Sequence, residues 1–208
     1  MNSELPRRDR DIDFHIGTVR FNKFRSYEKL TAWKEKKNWK GCFYSISSPI
    51  PAKIRENQYL FIVEMDNDNN KIFGIGFVKN IKSKGINTGI YNDMIYNFYN
   101  YSSAYHIDRE GVEKTFGKEL LSSFEYLLFR ERSHYKRGKG VITISPHRFK
   151  TAEKYFQMIE KLKALFPAIP FDTLDTHPPI VKKKRGRPRK YPLKTLTDDG
   201  EEKTDEFE

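Results

Sequence analysis

The sequence predicts an α+β domain: a small mixed or antiparallel sheet, or a partial barrel, packed by two to three helices and followed by a disordered C-terminal tail. Three observations predict this class. Two strand-like runs flank a turn-forming run and read as a hairpin. Two other segments carry apolar residues at helical spacing. The elements also follow one another without a β-α-β rhythm or any internal repeat at solenoid period.

In chain order, Phe14–Phe21 reads as a strand and Tyr27–Lys37 as a short helix with Ser26 as its N-cap. Gln58–Met65 (QYLFIVEM) and Lys71–Asn80 (KIFGIGFVKN) form the hairpin around Asp66-Asn67-Asp68-Asn69-Asn70. Gly74 and Gly76, two apart on one strand, predict close packing by another element on that face. Ala104–Ile107 is a further strand after the Tyr/Asn-rich stretch 91–101. Glu113–Glu131 predicts one long helix, with Phe116, Leu120, Leu121, Phe124, Leu127 and Leu128 on one stripe. Lys118, Glu119, Ser122 and Glu125 fall mostly on the other. Val141–Ser145 is a strand. Arg148–Phe166 is a second helix, with Phe149, Ala152, Phe156, Ile159, Leu162 and Phe166 inward and Pro167 as its stop.

The chain has 208 residues, room for one well-buried domain plus an appendage. Its 39 Lys+Arg against 28 Asp+Glu give a net charge of +11, which points to polyanionic partners. Hydrophobic residues at 37% are few for a fully folded chain, whereas 14% aromatic residues are many for a disordered one, so a folded body with a charged extension fits both. The composition changes near residue 172. This divides the chain into a flexible basic N-terminus over 1–11, a globular domain over 12–172 and a tail over 173–208. Within the tail, Pro178-Pro179 marks a linker, 182–194 carries +8 and the acidic end 198–208 carries −6. These two opposed segments largely cancel, so the body is basic in its own right. One cysteine, Cys42, excludes a disulfide framework and a cysteine-cluster zinc site. With no signal-like start and no apolar run near the ~20 residues that cross a bilayer, the expectation is a soluble intracellular protein without membrane contact.

The nine residues Lys182–Lys190 (KKKRGRPRK) are the most informative. Gly186 lets the backbone approach a surface closely, and Pro188 biases Arg187 toward an extended conformation. Around that centre, Lys182, Lys183, Lys184, Arg189 and Lys190 offer charge to phosphates. Arg185-Gly186-Arg187-Pro188 resembles the AT-hook, a minor-groove DNA-binding motif; the resemblance covers these nine residues only. It implies that Arg185 and Arg187 enter the narrow, negative A·T minor groove, with little sequence readout beyond A·T against G·C. A basic nuclear-import signal is the plainer reading of the same run, and the two are compatible.

Two further clusters lie in the body. The stretch Arg130–Gly140 joins a helix to a strand. In it Lys136, Arg137, Gly138, Lys139 and Gly140 form a candidate phosphate loop offering both charges and amides, against the plain reading of a basic helix end. Its spacing is not that of a nucleotide-binding P-loop. Trp33, Trp39, Phe43 and Tyr44, interleaved with lysines, form a candidate aromatic pocket for a base, against the plainer reading of core packing. Together with ENQYLFIVEM and IFGIGFVKN, whose second strand carries Gly-x-Gly, this arrangement faintly resembles the PUA-like domains (EVE, ASCH and YTH). That resemblance implies a body that reads RNA or modified bases.

Enzyme signatures are weak. His15, His106, His134, His147 and His177 are scattered, and Asp66, Asp68 and Asn70 lack the glycine of a calcium loop. A nuclease reading rests on Asp108 and Glu110 near His106, with Mg²⁺ and a lysine. Cys42 has lysine neighbours but no positioned base. The reading is therefore a non-enzymatic binder of A·T-rich double-stranded DNA, with chromatin, transcription or genome packaging as settings and no cofactor. Its expected place is the nucleus or another DNA-containing compartment, such as a viral factory or virion. The alternatives are a reader of RNA or modified bases and a metal-dependent nuclease.

Overall fold

A computed structural model of the chain describes residues 13–81, 83–84 and 88–174. The basic hook at 182–190 and the acidic end at 198–208 lie outside the described residues, as do the N-terminal eleven. The fold is α+β with two sheets. The larger sheet has the order β7-β4-β3-β1-β8, built from β1 (Phe14–Phe21), β3 (Tyr59–Asp66), β4 (Lys71–Lys79), β7 (His106–Asp108) and β8 (Ile142–Thr143). The smaller has the order β2-β6-β5, from β2 (Cys42–Ile46), β5 (Ser83–Lys84) and β6 (Tyr99–Ser103). Neither sheet closes into a barrel among the described residues.

The expected hairpin is present: β3 and β4 pair antiparallel from Tyr59↔Lys79 to Asp66↔Lys71. Asp66 shapes its turn, the Oδ1 accepting from the backbone N–H of Asp68 and Asn69 at 3.0 and 3.1 Å. A bulge at Glu64/Met65 shifts the register, so Ile72 faces one side of the sheet and Phe73 the other. The sheet is mixed, and the sequence reading assigns β1 no partner. β1 runs parallel to β3, joined by a crossover that contains α1 (Glu28–Lys36) and β2. The crossover was illegible because β2 (CFYSI) is a short apolar run without alternation, buried at every position.

The large sheet is covered on both faces, which explains why β3 is apolar almost throughout and buried at every residue. On one face Phe14, Ile16, Phe61, Val63, Ile75 and Phe77 meet α2 (Arg109–Phe116), α3 (Lys118–Phe129) and α4 (Ala152–Ala164). On the other, Val19, Phe21, Leu60, Ile62 and Val78 meet the small sheet and α1. Gly76 serves this second interface, whereas Gly74 makes room for β7 within the large sheet. A Cβ on Gly76 would strike the Tyr44 hydroxyl and stand 2.7 Å from Cys42 Cβ, and one on Gly74 would stand 2.5 Å from the Ile107 carbonyl oxygen.

The helices correct the sequence reading at their ends. The predicted helix 113–131 is two helices, because Gly117 adopts φ 76° and ψ 159°, a conformation essentially confined to glycine. The first of them begins earlier, capped by Asp108, whose Oδ1 accepts from the Gly111 N–H at 2.9 Å. Glu125, placed on the polar stripe, instead accepts from the Ile72 N–H at 2.7 Å and pairs with Arg109, pinning α3 to β4. The predicted helix from Arg148 starts at Ala152, after a 3-10 turn (Pro146–Phe149) and Lys150 at φ 62°. Thr151 caps it through the Lys154 N–H. Tyr155 and Met158 therefore face the core, and Phe156 is exposed. Ser26 is not the cap of α1. A π-helical turn (Lys23–Tyr27) precedes that helix, and the Ser26 hydroxyl bonds back to the Asn22 N–H at 2.9 Å.

Candidate nucleic-acid interface

At the C-terminal end of β1 the chain turns sharply, and this turn opens a cleft of about 580 Å³. The Asn22 carbonyl accepts from the N–H groups of Arg25, Ser26 and Tyr27 at 3.2, 3.0 and 3.3 Å. The wide turn carries Asn22, Arg25 and Ser26 onto the cleft wall, and Lys29 follows on the first turn of α1. Opposite stand Tyr91 and Tyr96, rings edge-to-face at 6.4 Å. Buried Asn97 organises that wall. Its Oδ1 accepts from the Tyr91 N–H at 3.0 Å, and its Nδ2 donates to the carbonyls of Tyr91 and Asp93 at 2.6 and 3.2 Å.

The third wall is the loop that the sequence marks as a phosphate loop. Arg20 donates through Nη1 to the Lys136 carbonyl and through Nη2 to the Gly138 carbonyl. Asn67 adds a bond from Nδ2 to the same Lys136 carbonyl at 3.3 Å, and Lys136 Nζ donates to Asn70 Oδ1 at 2.7 Å. The loop is thus tied down through its carbonyls. Gly138, at φ 136°, is packed too tightly against Ile142 for any side chain. Lys136 is spent on Asn70, whereas Lys139 and Gly140 line the cleft and Arg137 is exposed.

Charge in the cleft is one-sided. Arg20, Arg25, Lys29 and Lys139 line it against one carboxylate, Asp93, whose Oδ1 accepts from the Ile95 N–H at 3.0 Å. Partial burial pulls the Arg20 guanidinium below its ordinary value, and the nearby Tyr96 opposes that shift. Burial pushes the Tyr91 phenol up, with the charge of Glu64 adding to the effect, so this ring is neutral in the physiological range.

No protein-family model, curated protein or solved structure matches this chain. The AT-hook and PUA-like resemblances rest on their own residues.

The four aromatics of the expected pocket do not line one cavity. Trp33 and Trp39 pack on Phe43 with ring centroids at 4.5 and 6.0 Å, and both indole N–H groups are spent, on the Thr88 and Cys42 carbonyls at 3.1 Å each. Tyr44, next along the strand, points to the other face, where its hydroxyl donates to Glu64 at 2.9 Å. Strand alternation divides the cluster, and each half is core packing. Of the acidic candidates, one serves the fold and Glu110 is exposed. Asp108 caps α2, His106 Nε2 stands 3.1 Å from buried Glu64, and no group of three His, Cys, Asp or Glu among the described residues is placed to hold a metal.

Cys42 is fully buried between the sheets, and that burial pushes its thiol up to about 11 in spite of the Ser103 hydroxyl that favours the thiolate. A disulfide reagent at pH about 8 will leave Cys42 unlabelled in the native protein and label it completely once the chain is unfolded. Rapid native labelling would show that the two sheets open far more readily than this packing implies.

The sequence singled out Lys139 and Gly140 but not the rest of the cleft. Arg20, Arg25, Lys29, Tyr91 and Tyr96 come from segments far apart in the chain. Their one local signal is a cluster of basic residues immediately after a strand, VRFNKFRSYEK.

Proposed function

We propose that this protein binds A·T-rich duplex DNA through Lys182–Lys190 and so tethers its basic α+β body to DNA, without a catalytic step of its own. The observation that carries the reading is the spelling of that segment: Gly-Arg-Pro at the centre of a basic run, where a charge patch alone would need neither glycine nor proline. Arg185 and Arg187 occupy the minor groove, and Lys182, Lys183, Lys184, Arg189 and Lys190 meet phosphates. The net charge of +11 and the one-sided charge of the cleft agree with a polyanionic partner. The same reading places the protein in the nucleus or another DNA-containing compartment.

The test compares the full chain with its Arg185→Ala/Arg187→Ala variant on A·T-rich and G·C-rich duplexes across a salt series. The double substitution should weaken A·T-duplex binding by roughly tenfold or more, about 1.4 kcal/mol per decade, and abolish the preference for A·T. Replacing Lys182, Lys183 and Lys184 by alanine should instead weaken both duplexes alike and lower the salt slope by roughly 2.7. Equal affinity for the two duplexes in the unaltered chain would leave the segment as a plain basic signal.

A further inference from the structure

The cleft at the end of β1 offers more than a positive surface. Arg25 and Lys139 line it, and no ion pair or side-chain hydrogen bond within the described residues engages either of them. The amides of Lys139 and Gly140, which also line it, likewise donate to no acceptor there, and the loop is anchored through its carbonyls. Charges and backbone N–H groups left over in one cleft are the donor set that recognises a phosphate.

On the facing wall the Tyr96 ring is 44% exposed, and Tyr91 braces it edge-on. An exposed ring held in one orientation is a platform on which a planar group can stack. Two further residues of the cleft, Ser47 and Asn67, each hold a buried side-chain oxygen that has no hydrogen-bond partner. The orientation of the Asn67 amide is set by its Nδ2 bond to Lys136, so the unpartnered atom is the acceptor. A hydroxyl can accept as well. Both positions therefore suit a ligand that brings N–H donors, and an unmade buried hydrogen bond is a cost that such a ligand relieves. The three demands are an anion, a planar ring and an N–H edge, and a nucleotide meets all of them. A cleft of about 580 Å³ lies within the ordinary range for sites of that size.

We propose that the cleft bounded by the turn after β1, the loop ending at Gly140 and the Tyr91–Tyr96 wall binds one nucleotide unit of a single-stranded nucleic acid. The phosphate lies against Arg25, Lys139 and the amides of the loop. The base stacks on Tyr96 with its N–H edge toward Ser47 and Asn67. Arg20 is a positioning residue that shapes the loop, since its guanidinium is spent on two loop carbonyls. A single strand is required because a base inside a duplex has both faces covered by its neighbours. This site is separate from the hook and does not depend on the reading proposed for it.

The experiment uses the full chain carrying Arg185→Ala and Arg187→Ala, so that the hook's two arginines contribute nothing. Its probes are a short single-stranded DNA, an RNA of the same sequence and an abasic single strand of equal length and charge, with binding read by fluorescence anisotropy. At least one base-bearing strand should bind roughly 5–150-fold more tightly than the abasic strand, the span of one stacked base. Tyr96→Ala, at an exposed position, should remove that advantage and leave abasic binding unchanged; Ser47→Ala should reduce it. Lys139→Ala should weaken all three probes alike and lower the salt slope by roughly 0.7. Preference for RNA over DNA, or the reverse, would identify the source of the strand and support the site in either case. Equal binding of intact and abasic strands would overturn the proposal, and so would an advantage that Tyr96→Ala leaves untouched. A thermal melt of each variant excludes loss of fold as the cause.

Discussion

Phe61→Ala should cost the body about 3–5 kcal/mol, the range for deleting a fully buried aromatic side chain. Phe61 has no exposed surface and sits at the centre of the helix-side core. Its ring lies 4.9 Å from Phe77 on β4, 6.3 Å from Phe14 on β1, 6.1 Å from Phe166 just after α4 and 6.0 Å from Phe171. The side chain therefore joins β1, β4 and two segments that follow α4 at once, and a hole there cannot be filled by moving one neighbour. For a chain of this length the loss corresponds to a fall in Tm of roughly 6–20 °C. Phe61→Leu keeps most of the volume and should cost less than about 1.5 kcal/mol. Urea melts followed by circular dichroism will separate the two. A loss for Phe61→Ala as small as that for Phe61→Leu would mean that packing at this position contributes little.

The second large effect is at the other face of the same sheet. Gly76→Ala places a methyl group against the Tyr44 hydroxyl and 2.7 Å from Cys42 Cβ. Tyr44 cannot swing away, because it is fully buried and donates to Glu64 at 2.9 Å. Cys42 Cβ cannot move without its strand, which pairs with β6 from Cys42↔Ser103 to Ile46↔Tyr99. Overpacking of about 1–3 kcal/mol, together with about 1 kcal/mol for the disturbed hydrogen bond, is the expected cost. Tyr44→Phe alone should cost about 1 kcal/mol by leaving Glu64 with one partner fewer. The double variant should lose at least about 0.5 kcal/mol less than the sum, since removing the hydroxyl also removes part of the clash. Strict additivity would show that the methyl group is accommodated elsewhere.

Particular elements show how far local pattern reaches. The strand Phe14–Phe21 and the β3–β4 hairpin were legible because period-2 or continuous apolar runs end in strong turn residues. The Gly-x-Gly pair was legible as a close approach, although the partner strand was not. The break at Gly117 was hidden because the apolar stripe runs straight through it: Phe116, Leu120 and Leu121 keep helical spacing across a residue whose backbone is not helical. Phe156 was placed inward for a related reason. A helix that begins four residues later than the predicted start presents Tyr155 and Met158 instead. Among the functional candidates, the hook segment can be read from nine consecutive residues. The cleft cannot, since its residues lie between Val19 and Gly140 and meet only in the fold.

What the sequence determined by itself is the class of the body, its hairpin and its basic charge. It also determined the basic spelling of Lys182–Lys190, with a glycine and a proline at its centre. These are local properties: periodicity, turn chemistry and charge act over a few residues and need no partner. The tertiary structure decided that β1 runs parallel to β3 and that the tryptophans pack in the core. It also decided that Arg20 turns the loop ending at Gly140 into the wall of a cleft. Each of these depends on contacts between residues tens of positions apart. No local pattern encodes such a contact, because burial and hydrogen bonding to distant groups exist only once the chain has closed on itself.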